Sequence, residues 1–325
     1  MSARIAFVFP GQGSQAVGMG TALAAAFPEA EAALAEAETA FAGAANGAAN
    51  GVAAHVSLRA MLADGPEDRL TLTEHAQPAL VAVSVAAARV LAAHGIEPAF
   101  VAGHSLGEYS AHVAAGTFSL ADGVSIVRRR GRYMQESVPV GTGAMAAVLG
   151  LDTALVEQAC REAADGEVVS PANLNAPGQV AIAGHAGAVA RASERARALG
   201  ARRVVPLAVS APFHCALMQP AQARLEPELR ALRATAPRVP VVANVDAEPK
   251  RDAHASVDAL VQQVSSRVRW VEVVQRLAAE GVTHYIEVGP GNVLAGFIKR
   301  IHKDAHIVSF SSPDQLDAVR AACSS

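Results

Sequence analysis

Residues Ala102 to Ala111 read A-G-H-S-L-G-E-Y-S-A. The apolar run Ala99, Phe100, Val101 and Ala102 reads as a short buried strand, and Glu108 to Ala115 reads as a helix. Gly103, His104, Ser105, Leu106 and Gly107 then form a strand-to-helix turn of the G-x-S-x-G kind. In that setting the pattern predicts a nucleophile elbow, in which two glycines relieve crowding at a strained bend and the serine hydroxyl stands clear. The same five residues could also be a plain Gly-rich turn with Ser105 as helix cap; the strand before and the helix after favour the elbow. Ser105 is the candidate nucleophile. The helix start beside it favours developing negative charge, and the N–H of Leu106 is a candidate half of an oxyanion hole.

Upstream, Arg4 to Phe9 reads as a first buried strand, left abruptly at Pro10-Gly11-Gln12-Gly13-Ser14-Gln15. Gly11, Gly13 and Gly18 give G-x-G-x-x-x-x-G, not the G-x-G-x-x-G of a dinucleotide site. The stretch reads as a loop at the carboxyl end of a strand, where open α/β sheets bind ligands, and Gln12 could place a backbone N–H there. Phe27, Leu34 and Phe41 share one helical face, and Pro28 fits the first turn. Gly43 to Ala54, holding G-A-A-N-G-A-A-N-G, reads as a surface loop. Pro78 to Ala93 reads as a buried helix, apolar on almost every side and ended by Gly95.

Downstream, Ser119 and Asp122 are a capping pair for a helix carrying Arg128, Arg129, Arg130 and Arg132. Successive helical residues point about 100° apart, so these arginines cannot all serve one purpose. One that faced inward beside the serine would suit a substrate carboxylate, because its planar fork binds carboxylates with two parallel bonds.

From Gly143 to Leu207 the predicted order is strand, helix, strand, strand, helix, strand, a ferredoxin-like βαββαβ unit. The strands are Ala144 to Leu149, Glu167 to Asn173, Gln179 to Gly184 and Ala201 to Leu207, with a turn at Asn175-Ala176-Pro177-Gly178. Strands at Val241 to Val245, His284 to Val288 and His306 to Phe310 follow, among helices. The expected fold is α/β: an α/β-hydrolase-like, mostly parallel sheet with helices on both faces, from residues 1–137 and 210–325, with the ferredoxin-like unit inserted at 138–209. A cleft between the two is a favoured ligand site.

Composition narrows the partners. The formal charge of -3 over 325 residues, with both signs spread along the chain, argues against nucleic acid as the main partner. No uninterrupted apolar run of membrane-spanning length is seen, and the apolar run before Pro10 is too short for a signal-peptide core. Cys160, Cys215 and Cys323 are too widely spaced for a disulfide framework or a zinc site, which fits a reducing cytoplasm. The histidines form no metal-binding pattern, so no metal and no cofactor are expected, and nothing demands more than a monomer.

A serine hydroxyl is protonated at neutral pH and needs a base, usually His. His104 adjoins Ser105, but neighbouring side chains diverge on an elbow. His214, on the loop Ser210-Ala211-Pro212-Phe213-His214-Cys215 after the inserted unit, is expected to face the cleft. For a third triad member, Asp122, Asp152 and Asp165 fall between serine and histidine, and none is persuasive.

Seven ordered motifs now resemble one family. They are F-V-F-P-G-Q-G-S-Q from Phe7, G-H-S-L-G-E-Y-S-A from Gly103, R-G-R-Y-M-Q from Arg130, G-T-G-A-M from Gly141, N-x-N-x-P-G-Q from Asn173, P-F-H-C-A-L-M from Pro212 and E-V-G-P-G from Glu287. Together they resemble the malonyl-CoA:acyl-carrier-protein transacylases of type II fatty acid synthesis along nearly the whole chain. The resemblance implies two-step acyl transfer. Ser105, activated by His214, would attack malonyl-CoA, the N–H groups of Leu106 and Gln12 would hold the oxyanion, and coenzyme A would leave before acyl carrier protein takes the malonyl group. It implies that a backbone carbonyl at Gln263, not an acid, orients the histidine, and that Arg130 binds the malonate with Asn173, Asn175 and Phe213 also on the substrate. Phe213 stands where some members carry Ser, a position associated with malonyl over methylmalonyl preference. Other readings are a freestanding acyltransferase of a polyketide synthase, a malonate decarboxylase subunit, a serine esterase and a noncatalytic scaffold. Carrier proteins are acidic, and Lys299, Arg300, Lys303, Arg202 and Arg203 are candidate docking cations.

Overall fold

The computed structural model describes residues 3–45, 56–139, 141–209 and 211–323. Among these residues the strands, in chain order, are β1 (Ile5–Phe9), β2 (Phe100–Gly103), β3 (Gly143–Leu149), β4 (Val169–Ala176), β5 (Gln179–His185), β6 (Arg203–Pro206), β7 (Val241–Val242), β8 (Pro249–Lys250), β9 (His284–Val288) and β10 (His306–Phe310). They form two sheets, ordered β10-β9-β1-β2-β7-β8 and β4-β5-β3-β6.

In the larger sheet every pairing is parallel except β7 with β8. Alternate residues of β1 enter different cores: Phe7 and Phe9 pack with the helix Thr73–Ala93, whereas Ala6 and Val8 pack with Trp270 and Tyr285. Both faces are therefore covered, as a parallel sheet requires. The helix Thr73–Ala93 is long and apolar enough to cross a membrane by length and composition, but 83% of its apolar window is buried inside the fold. The smaller sheet is antiparallel throughout and carries the helices Thr153–Ala163 and Ala186–Ala198 over one core. Its element order is βαββαβ.

Several boundaries differ from the sequence reading, each for a local reason. The elbow helix begins at Leu106, not Glu108, because Ser105 itself is the N-cap. The helix read from Pro78 begins at Thr73; Thr73, His75, Ala76 and Gln77 are buried, and burial outweighs the proline signal. The strand read through Val245 stops at Val242, after which Asn244 turns its side chain into the elbow. Strand β4 runs on to Ala176 through two register irregularities, shrinking the predicted turn to Pro177 and Gly178, the latter at φ +68. The helix Pro28–Ala45 extends past Gly43, and residues 46–55 of the low-complexity stretch lie outside the described residues.

Candidate active site

The glycines of the elbow are dictated by two close crossings. A Cβ on Gly103 would sit 1.9 Å from the carbonyl carbon of Gly107, and one on Gly107 would sit 2.0 Å from the Phe9 oxygen. Strand β1, strand β2 and the helix Leu106–Ala114 thus meet with no room for a side chain. Ser105 is forced to φ 53 and ψ -108, a strained setting for a residue with a Cβ.

The strain aims the hydroxyl. Ser105 Oγ lies 2.6 Å from His214 Nε2 and accepts from Arg130 Nη2 at 3.2 Å. His214 Nδ1 lies 3.1 Å from the main-chain oxygens of both Gln263 and Ser266. Carbonyl oxygens only accept, so Nδ1 carries the proton and Nε2 offers its lone pair to Ser105. Burial, reinforced by the charges of Arg130 and His104, lowers the His214 pKa to about 3. The imidazole is therefore neutral, as a base must be. Asp122 is spent in the cap with Ser119, and Asp152 stands at the N-cap position of the helix Thr153–Ala163 without a side-chain cap bond.

Arg130 is the inward member of the arginine series, with 1% exposure. Its fork reaches amide oxygens: Nη1 donates to Gln77 Oε1 at 2.9 Å and Nη2 to Gln263 Oε1 at 3.0 Å. Arg128 instead donates to the Phe41 carbonyl, and Arg129 pairs with Glu228. Burial lowers the Arg130 pKa while the neighbouring Tyr109 and Glu108 oppose that shift, and a guanidinium remains charged.

Three residues that the sequence reading passed over complete the arrangement: Asn244, Glu108 and Gln77. Asn244 Oδ1 accepts from the Ser105 N–H at 2.7 Å, and its Nδ2 donates to the Gly103 carbonyl at 2.8 Å. Gln263 Nε2 donates to the Ser105 carbonyl at 2.9 Å. Both polar backbone groups of Ser105 are thus held by side chains from distant parts of the chain. Each contact joins single residues far apart in sequence, so no periodicity announces them. The E following G-H-S-L-G was the one visible signal, the single carboxylate on the helix Leu106–Ala114.

The hydroxyl opens into a cavity of about 360 Å³ between the two sheets. Gln12 and Leu106 line it beside Ser105, and Asn173, Asn175 and Phe213 line it from the other side. The Leu106 N–H is in the first turn of its helix, where the main chain supplies no partner. Gln12 also donates from Nε2 to Thr73 Oγ1 at 3.2 Å. Asn175 Oδ1 lies 2.8 Å from His104 Nε2, so His104 points to the smaller sheet while Ser105 points to His214. Of the docking candidates, Arg300 ties its helix to the smaller sheet through Gln179 and the Pro177 carbonyl.

One cavity thus brings together a serine hydroxyl, a neutral imidazole, a helix N-terminus and a buried guanidinium, groups able to form and cleave an acyl ester on the serine. The chain belongs to the acyl transferase family, whose acyl transferase domain matches residues 6–322. Within it, the relatives include the malonyl CoA-acyl carrier protein transacylases of Escherichia coli O157:H7, 49% identical over 97% of this chain and 98% of the relative, and of Bacillus subtilis strain 168, 42% identical over 97% and 95%. The solved transacylase of Coxiella burnetii superposes with a TM-score of 0.94 at 40% identity, covering 100% of this chain and 99% of that one. A malonyl-transacylase in complex with a type II polyketide acyl-carrier protein gives 0.91 at 44% identity, covering 97% and 98%.

Proposed function

We propose that this chain moves the malonyl group from malonyl-CoA to the phosphopantetheine thiol of acyl carrier protein through a malonyl ester on Ser105, supplying fatty acid synthesis. The observation that carries the reading is that one hydroxyl is touched by a neutral imidazole at 2.6 Å and a buried guanidinium at 3.2 Å. In the first half, Ser105 Oγ gives its proton to His214 Nε2 and attacks the thioester carbonyl carbon. The oxyanion is held by the N–H groups of Leu106 and Gln12. As the C–S bond breaks, His214 returns the proton to the coenzyme A sulfur. In the second half the carrier thiol gives its proton to His214, attacks the ester, and Ser105 leaves with that proton.

Arg130 serves as the partner of the malonyl carboxylate, exchanging neutral amide acceptors for a charged one. Asn173, Asn175 and Phe213 form the wall that the acyl chain and pantetheine arm lie against. Gln263 and Ser266 orient the base. Residues 138–209 act as the smaller unit that closes the cavity over the larger one, in a monomer working in the cytoplasm.

Mass spectrometry after incubation with malonyl-CoA tests the chemistry: the malonyl label belongs on Ser105 and leaves on addition of carrier protein. A label elsewhere defeats the mechanism, and rapid release of free malonate without carrier protein indicates a hydrolase. A polyketide carrier is the second reading, favoured by the 44% identical transacylase solved with such a partner. Transfer rates to fatty acid and polyketide carrier proteins separate the two.

A further inference from the structure

Glu108 lies three residues beyond Ser105 on the helix Leu106–Ala114 and is fully buried. Its Oε2 accepts from Gln263 Nε2 at 2.8 Å and from the Asn244 main-chain N–H at 3.0 Å. Its Oε1 is buried without a hydrogen-bond partner among the described residues. The Gln263 amide stands between opposite charges: Oε1 faces Arg130 and Nε2 faces Glu108. Turning that amide over would set donor against donor and acceptor against acceptor, so the two ends together fix it. One carboxyl oxygen thereby governs the side chain that steadies Arg130 and the residue that holds the Ser105 N–H.

We propose that Glu108 is a positioning residue that sets the preference for acyl groups ending in a carboxylate, by holding Gln263 and, through it, the Arg130 guanidinium beside Ser105. This rests on the transfer reading above and adds a selectivity device to it. Two physical effects follow. The accepting oxygen orients Gln263 whether Glu108 is protonated or not. The negative charge, when present, repels the incoming malonyl carboxylate across Arg130 and weakens the preference.

The charged and titratable groups facing Glu108 are Arg130 from the helix Leu120–Glu136, Asp246 from the segment after β7 and Tyr109 on its own helix. Burial raises the Glu108 pKa to about 7, against the bonds from Gln263 and Asn244. Malonyl preference is therefore greatest below that value and declines as pH rises through it. Acetyl-CoA shares every titrating group of malonyl-CoA near neutrality, and His214 serves both donors, so the ratio of the two loading rates isolates Glu108.

The experiment measures that ratio at Ser105, by rapid quench and mass spectrometry, for the parent, Glu108→Gln and Glu108→Met at about pH 6 and about pH 8. Glu108→Gln keeps an accepting oxygen without the charge. Its ratio should match the parent at the lower pH and stay there at the higher, where the parent's falls. Glu108→Met keeps the bulk without the acceptor, and its ratio should fall about tenfold or more at both pH values. A Glu108→Met variant that slows both donors equally, or a Glu108→Gln ratio that tracks the parent's, overturns the proposal. If Glu108→Met does not fold, the Glu108→Gln comparison decides alone. A parent that loads no malonyl on Ser105 removes the transfer reading and this proposal with it, whereas failure confined to the variants removes this proposal only.

Discussion

His214 donates from Nδ1 to the main-chain carbonyl of Gln263 at 3.1 Å. A carbonyl with no charge does here what a buried carboxylate does in a Ser-His-Asp triad: it selects the tautomer and fixes the ring. A second carbonyl, from Ser266, shares that proton at the same distance. No anion stands behind the ring, and the two carbonyls raise its basicity by less than burial and nearby positive charge lower it. The base is set low by burial and by nearby positive charge, which suits a thiol leaving group that needs its proton returned.

That low basicity fixes the pH behaviour. With the His214 pKa pulled down to about 3, malonyl loading should show no acid limb at the ordinary histidine value of about 6.5. The stability effect has a definite sign. The unfolded chain takes up a proton at about 6.5 that the native state refuses until about 3, so the contribution is present above about 6.5 and is lost as pH falls. Denaturant unfolding across that range should show the parent losing stability faster than His214→Gln. Parallel curves would place the histidine in an ordinary environment.

Arg130→Ala should lower malonyl loading by about tenfold to a hundredfold while acetyl loading falls far less, since a charge-assisted bond is worth about 1.5 to 3 kcal/mol. Arg130→Lys should recover little of the loss, because one ammonium cannot reach Gln77, Gln263 and Ser105 together as the fork does. Steady-state kinetics with both donors checks this, and equal losses would make Arg130 structural.

Asn244→Ala should slow both donors alike. It leaves the Ser105 N–H and the Gly103 carbonyl unpaired inside the fold, a cost of about 1 to 3 kcal/mol for each group. The expected signature is a reduced kcat with an unchanged malonyl-to-acetyl ratio. A change in the ratio would tie Asn244 to acyl selection instead.

Gly107→Ala should be among the most damaging single substitutions in the chain. The added methyl would meet the Phe9 carbonyl at 2.0 Å, and strand β1 cannot yield without breaking its pairing with β2 and β9. A loss of about 3 kcal/mol or more in unfolding free energy is expected. Thermal and urea unfolding measure it, and a near-parental midpoint would refute the close crossing.

Much of this could be read from residue order. The elbow declared itself through glycines whose necessity is now visible as contacts near 2 Å, and β9 and β10 match the predicted His284 to Val288 and His306 to Phe310. The βαββαβ order was legible because hydrophobic period and turn residues agree there. The arginine facing inward was not legible from the pattern; four near-consecutive arginines on one helix offer no sign of which is enclosed. Asn244 and Gln77 were also hidden, as lone amides on short or misjudged elements whose partners lie 139 and 53 residues away. The pair β7 and β8, two residues each, was too short for any periodic signal. What sequence conveys poorly is single, long-range polar contacts, and this site is built from them.

The Arg130 guanidinium rests on neutral oxygens from Gln77, Gln263 and Ser105. A carboxylate outcompetes such acceptors, yet the cation is not stranded when the carboxylate departs, since the amides are waiting. On the transfer reading proposed above, the amides take the guanidinium back each time an acyl group is passed on. Such a site suits a reversible relay: it holds its cargo firmly enough to recognise it and weakly enough to hand it on.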